Sequence, residues 1–402
     1  MLPIRFSKSQ FAKFAPHKTW LFIIFLAFLI RLPFFVFPHL SYDLESYYLV
    51  AKIVRQGKIV YQETSRYNYL PLWFWIIHFL DLISLKFKIS LALLIKTFLF
   101  LIDLTLALIL YIFEKQKQKT HFPSISIIYL FNPLTILISS YYAQFDNLML
   151  LTFLTACYFL FIKNYQQPWA GLLTGLSISI KPIPLIFLPL FWQLRSQFKN
   201  KLTLILSIIA IPLSLLLPYL IQSPIGIWQH LILYSGIPHW WGYSLIISSL
   251  QYLFPAASLL AQINLISQKF NSFVVILGVG LIYYFLVYLP SAKSKLSLEK
   301  SFSILTIICL SFYSLTGGFG LQWLLWVIPF ALITRDHFVF PYLALASLHL
   351  IIAFIHEMVF FKYFNWGNSV SWNIALRGSS LILWLFILYW LYNKIGQWQK
   401  NE

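Results

Sequence analysis

The stretch "WLFIIFLAFLIRLPFFVFP", residues 20–38, decides the fold class. A bilayer core takes about 20 predominantly apolar residues per spanning helix. Runs of this kind recur along almost the whole chain. The 402 residues are 60% hydrophobic and only 10% charged, whereas a water-soluble protein carries about a quarter charged residues. No polar stretch is long enough to fold alone. The chain therefore reads as a single all-α polytopic membrane domain over residues 1–402, with about 10–13 membrane helices and some re-entrant or interfacial segments. Arg5, Lys8, Lys13 and Lys18 precede the first run. That run is too long for a signal-peptide core and no small-residue cleavage site follows it, so it reads as a retained helix.

A net charge of +18 would by itself suggest a nucleic-acid partner. The positions of the charges say otherwise. Lys and Arg lie in short clusters between apolar runs, which is how membrane proteins encode their orientation. Residues 5–18, "EKQKQK" at 114–119, "RSQFKNK" at 195–201, "KSKLSLEK" at 293–300 and the tail from Lys394 are expected in the cytoplasm. Both termini then lie inside, and residues 39–69 and 222–243 lie outside. Between residue 69 and the cluster at 114–119 stand two apolar segments, 70–85 and 89–113, but only one crossing fits. The shorter, with Pro71, His78 and Asp81, is expected to be re-entrant or interfacial. The same count makes 244–262, interrupted by Pro255, interfacial and 271–290 a span. Residues 168–194 break at "KPIP", 181–184, and are expected as two half-helices, either a hairpin that stops short of the far side or a segment that crosses only where the membrane is thin. The remaining spans are expected at about 122–141, 147–163, 202–221, 301–316, 321–334, 338–356 and 374–393. Cys157 and Cys309 sit inside apolar runs as small core residues.

Eleven acids are few enough to take one by one. Glu114, Glu299, Asp336 and Glu402 are expected to be solvated. Asp103 is mid-span, either structural or functional. Asp81 and Glu357 are ambiguous. Asp43, Glu45, Glu63 and Asp146 fall on the external side. Asp43 and Glu45 emerge beside the membrane in "SYDLESYY", residues 41–48, among Tyr42, Tyr47 and Tyr48. On a helix, positions i and i+2 face different ways, so only one would aim at a substrate; in an extended turn both could. Gln144, Asp146 and Asn147 cluster in "SSYYAQFDNLML", residues 139–150. There Asp146 is also well placed as a helix N-cap. Lys181 lies between "SISI" and "PIPLIF". It either snorkels to an interface or holds an anionic group as a point charge. His239, Trp240, Trp241 and Tyr243 share "YSGIPHWWGYS", residues 234–244, where the tryptophans read as interface anchors. Gln322 follows the Gly-rich break in "GGFGLQWLLWVIPF", residues 317–330. No P-loop, dinucleotide fingerprint or metal-type Cys/His spacing is present.

Five stretches occur in order: "SYDLESYY", "GKIVYQETSRYNYLPLWFW", "FNPLTILISSYYAQFDNLMLL", "LTGLSISIKPIPLIFLPLF" and "FGLQWLLWVIPF". On these the chain resembles the polyprenyl-phosphate-sugar-dependent glycosyltransferases of the C superfamily, most nearly the bacterial and PIG-M-like mannosyltransferase branch. It departs from them in having "NYLPL" for a double proline, Ala143 where glycine is usual, and "KPIP" without the usual glutamine. The resemblance implies a sugar, mannose or another hexose, carried on a polyprenyl phosphate and transferred with inversion to a glycan or lipid-linked acceptor at the external face. For a bacterial chain the membrane would be the inner one. A first-loop carboxylate, Asp43 ahead of Glu45, would be the base. Lys181, with His239 and Gln322, would bind the donor phosphate. Gln144, Asp146, Asn147, Tyr69 and Trp241 would contact substrate. A divalent metal near Asp43 is compatible with this but is not established by two acids. The other reading is a transporter or lipid flippase, which calls for paired intramembrane charges or an inverted repeat.

Overall fold

The structure, a computed structural model, describes residues 17–36, 41–116, 123–163, 167–194, 198–232, 234, 236–254, 258–291, 296–355 and 370–400. Arg5, Lys8, Lys13, Pro255, Glu357, Glu402 and parts of the clusters at 114–119, 195–201 and 293–300 lie outside them. The described chain is helical almost throughout. Its one strand pairing is two residues long, Ile237–Pro238 antiparallel to Gly318–Phe319. Among the described residues six helices are long and apolar enough to cross a membrane: Thr19–Val36, Leu91–Gln116, Lys199–Gln222, Asn271–Ser291, Leu298–Leu315 and Ile374–Lys400. The protein is an all-α, multi-pass integral membrane protein.

Other expected spans are realised as bent or broken segments, and the breaks follow the chemistry of the chain. Pro133–Tyr141 and Asp146–Phe161 meet at 119°. Asn132 starts the first of these by accepting a hydrogen bond from the Thr135 backbone N–H at 2.9 Å, with Pro133 next in line. Proline suits that position because it has no N–H to leave unmet. The corner itself turns at Ala143, whose φ is +59°. This left-handed conformation suits glycine and strains a side chain bearing Cβ.

The segment expected as two half-helices is a broken helix rather than a hairpin. Gln167–Ile180 ends at Lys181, a 3₁₀ turn covers Ile183–Phe187, and Leu188–Gln193 resumes the helix. Prolines 182, 184 and 189 supply no backbone donor to carry one continuous helix through. The two helical parts do not pack on each other as hairpin arms would. Gln167–Ile180 packs chiefly on Asp146–Phe161 and Phe198–Gln222, whereas Leu188–Gln193 packs on Leu298–Leu315. The first contact is close because Gly171 and Gly175 face the neighbouring helix. A Cβ at Gly171 would lie 2.5 Å from the Ser207 Cβ, and one at Gly175 would collide with the Ile208 carbonyl. This is the small-xxx-small crossing typical of membrane helices.

Pro71–Phe87 is one uninterrupted helix, packed on Tyr42–Arg55 and Leu91–Gln116. It is too short to count among the six. Gly242–Leu253 and Ser258–Lys269 fold against each other where an interfacial element was expected. Leu298–Leu315 and the residues after it form the centre of the bundle.

Four acids depart from the solvated or undecided reading. Asp81 is buried and pairs with Arg55 at 3.1 Å. Asp103 is fully buried with Arg31 at 3.6 Å and accepts from Tyr129, Ser139 and Asn147. Its role is therefore structural. Glu114 is buried against Ser124 and Arg335, and Asp336 is buried against Lys394 at 2.6 Å. Each ties the end of one helix to another, which a count of charges along the chain does not reveal.

Two stability effects follow. Gly175→Leu forces the helix crossing apart and is expected to cost about 1–3 kcal/mol, the usual cost of overpacking. It should lower the unfolding midpoint in detergent, whereas Gly378→Ala, with nothing within 4 Å, should leave it unchanged. Ala143→Gly relieves the left-handed alanine and is expected to raise that midpoint, by a gain of about 1 kcal/mol. An unchanged or lower midpoint would show that this corner carries no strain.

Candidate active site

The bent Tyr141–Asp146 corner and the Lys181 break bring their polar side chains together. Lys181 is 3% exposed, so it does not snorkel. Its ammonium donates to Asp146 Oδ2 at 2.6 Å and reaches Gln144 Oε1 at 3.5 Å. It also lies 4.6 Å from the Phe145 ring centroid and 4.9 Å from that of Tyr69. Asp146 begins its helix one residue past the N-cap position, which Phe145 holds. Its carboxylate is taken up by side chains: the second oxygen accepts from the Trp326 indole N–H at 2.6 Å. On the other side of Gln144, the amide nitrogen of that residue donates to Asp43 Oδ2. The series Asp43–Gln144–Lys181–Asp146–Trp326 joins four segments far apart in sequence.

Packing holds this series in place. Phe145 stacks on Trp73 with centroids 4.0 Å apart and meets Tyr69 edge-on at 4.7 Å. The Tyr69 carbonyl accepts from the Tyr61 hydroxyl at 2.7 Å. Asp43 lies in the first turn of Tyr42–Arg55, capped by Ser41. It is half-buried. Burial raises its pKa above the ordinary aspartate value, while Lys181 and hydrogen bonds from Tyr142 and Gln144 pull the other way. A carboxylate so placed is a stronger base than one in water.

A cavity of about 520 Å³ opens beside Lys181. Tyr69, Asn68, Gln322, Asn271 and Trp326 border it together with Lys181, the one charged side chain among its described lining residues. The rest of the wall is largely apolar: Ile183, Ile186 and Pro189 from the broken helix, and Val275, Val279 and Tyr283 from the Asn271–Ser291 span.

Of the residues expected at a site, Lys181, Tyr69 and Gln322 line the cavity, and Asp43, Gln144 and Asp146 join Lys181 from behind its wall through hydrogen bonds. Four do not. Glu45 points to the surface and pairs with Arg66 at 3.5 Å, as the i, i+2 spacing on a helix requires. Asn147 turns the opposite way from Asp146, donating to Asp103 and to the Leu99 carbonyl. His239 takes a turn position with φ +73° and does not line the cavity. Trp241 is not an interface anchor: it is fully buried, stacked 3.8 Å from Phe319, and donates to the Tyr313 carbonyl. Sequence reading missed Trp326, Asn68 and Asn271. Trp326 stands four residues beyond Gln322 in a stretch already singled out, but a tryptophan in an apolar run looks like core.

Among the described residues no three His, Cys, Asp or Glu side chains come together. Asp146, the carboxylate acting on Asp43, already has both oxygens engaged.

A search of curated proteins returned no match. A family model, Glycosyltransferase family 87, matches residues 67–315, which is more than half of the chain. The match takes in Tyr69, Gln144, Asp146 and Lys181 and begins after Asp43. On that match, the chain belongs to glycosyltransferase family 87.

Proposed function

We propose that this glycosyltransferase takes a hexose, with mannose the sugar favoured by the resemblance, from a polyprenyl-phosphate donor. It passes the sugar with inversion to a hydroxyl of a glycan or lipid-linked acceptor at the external face. The observation that carries this reading is the cavity. It offers one cation, already paired with a carboxylate, and largely apolar walls that include the side of a spanning helix. A singly charged phosphodiester on a lipid tail suits it. A nucleotide diphosphate would need more cations or a metal to offset its charge.

In this mechanism the acceptor oxygen attacks the anomeric carbon as the bond from that carbon to the phosphate oxygen breaks. The acceptor proton passes to the Asp43 carboxylate. The departing polyprenyl phosphate gains a negative charge, which the Lys181 ammonium meets. Asp146 and Trp326 hold Lys181 in place. Gln144, bonded to both Asp43 and Lys181, sets their spacing. The transporter reading called for paired intramembrane charges along a path or an inverted repeat. Of the buried pairs described, Arg31–Asp103 is sealed at 0% exposure and does not border the cavity, and Lys181–Asp146 stands by itself on a largely apolar wall rather than in a row of charges.

The test is sugar transfer in detergent from a polyprenyl-phosphate mannose or glucose. Asp43→Asn is expected to lower kcat by about 10²–10⁴-fold, the range of general-base effects, while Glu45→Gln changes little. Because burial raises the Asp43 pKa, the acid limb of kcat/KM should lie above pH ~3.9, with activity lost as pH falls through it. A raised carboxyl pKa also costs stability once pH exceeds it. Asp43→Asn should therefore keep or raise the unfolding midpoint at pH 7 while losing activity. Full turnover by Asp43→Asn removes Asp43 as base. Lipid or solute movement in vesicles without sugar transfer from any lipid-linked donor overturns the reading as a whole.

A further inference from the structure

Asn271 opens the Asn271–Leu281 helix, is 5% exposed and borders the cavity. Its Oδ1 accepts from the Gly317 backbone N–H at 2.6 Å and from the Tyr243 hydroxyl at 2.9 Å. A backbone N–H only donates, so the atom facing it must be the amide oxygen, and the orientation of the carboxamide is settled by chemistry. The opposing NH₂ group carries two donor hydrogens. Among the described residues it has no protein acceptor. The support is closely built: a Cβ on Gly317 would come within 2.6 Å of the Tyr243 ring and hydroxyl. Asn271 as a residue is nine-tenths buried, and its NH₂ group is left on the cavity side as a donor held in place for an acceptor that enters there.

We infer that Asn271 donates a hydrogen bond to one hydroxyl of the hexose on the donor lipid and so discriminates among sugars. This rests on the reading of the cavity as the lipid-phosphate-sugar site. The lipid tail has no acceptor, and the phosphate oxygens are drawn to Lys181, the charged group. The sugar supplies the neutral acceptors. Gln322, also at the cavity wall and also a carboxamide, matches the same chemistry, since an amide pairs with hydroxyls that both donate and accept. A site that hydrogen-bonds a substrate hydroxyl rejects the analogue lacking it far more strongly than an apolar pocket rejects an extra or missing group.

The experiment uses the full chain in detergent. Its probes are short-chain polyprenyl phosphates that are bare, that carry mannose or glucose, or that carry their monodeoxy analogues. Binding is read by thermal shift, independently of turnover, and transfer is read as kcat/KM. For the wild type, one monodeoxy position is expected to lose at least about tenfold in both. Asn271→Asp keeps the oxygen that Gly317 and Tyr243 need and replaces the donor with an acceptor. It should erase that tenfold difference, and its added negative charge should weaken binding of the bare lipid phosphate. Asn271→Ser, which lacks the NH₂ group without adding charge, should also erase the difference but bind the bare lipid phosphate as the wild type does, and it guards against misfolding of the Asp variant. If both variants discriminate among the deoxy sugars as the wild type does, the assignment of Asn271 is overturned and the cavity reading stands. If the bare lipid phosphate fails to stabilise the wild type, the cavity reading falls and this inference with it.

Discussion

The Lys181–Asp146 ion pair is the contact on which the candidate site depends. Both side chains are withdrawn from water, so each charge is tolerable only because the other is there. The carboxylate is satisfied at both oxygens, by the ammonium and by the Trp326 indole. The ammonium has donors to spare and borders an open cavity. The pair thus keeps an ammonium compensated inside the bundle and still at the wall of the cavity. Removing either partner would strand the other in a medium that charges enter at a cost of several kcal/mol.

Helix breaks are what bring these groups together. Unbroken spans would carry Lys181 and Asp146 past each other on parallel rods, with little freedom to aim. The prolines after Lys181 and the left-handed residue before Gln144 expose chain ends inside the bundle. Irregular backbone at such depth is tolerated where it is buried in protein or lines a cavity. The Gly171 and Gly175 crossing presses the Gln167–Ile180 helix against its neighbour. A second knot, Arg31 with Asp103, Tyr129, Ser139 and Asn147, anchors the segment next to Asp146 from its far side. Asn147 therefore serves the frame, while Asp146, one residue away, serves the site.

Much of this was legible in the chain. Scarcity of acids drew attention to Asp43 and Asp146, and a lysine inside "SISIKPIPLIF" stood out for the same reason. Ala143 was visible as a departure from glycine, and the +59° φ at that position is why glycine is the usual residue there. Asn271 was invisible because an asparagine after "SQKF" looks like a loop residue. Its use of one side of the amide on Gly317 and Tyr243 depends on contacts 46 and 28 residues away. Trp241 was misread because a tryptophan near a predicted interface anchors more often than it packs. Glu114 and Asp336 were taken for solvated acids because their partners, Arg335 and Lys394, are remote in sequence or on another helix.

By itself the sequence determined the membrane class, the helical fold and the few residues with charge to spare for chemistry. Those follow from composition and local pattern, because lipid demands long apolar runs with their backbone groups satisfied within each segment. The tertiary structure alone decided which of two neighbouring polar residues joins the series around Lys181, as with Asp43 against Glu45 and Asp146 against Asn147. It also decided that Lys181 is paired rather than snorkelling, and that "KPIP" is a break rather than a hairpin. In a bundle nearly uniform in hydrophobicity, periodicity does not mark the inner face of a helix. Orientation is set by the few buried hydrogen bonds and ion pairs, and their partners lie on other segments.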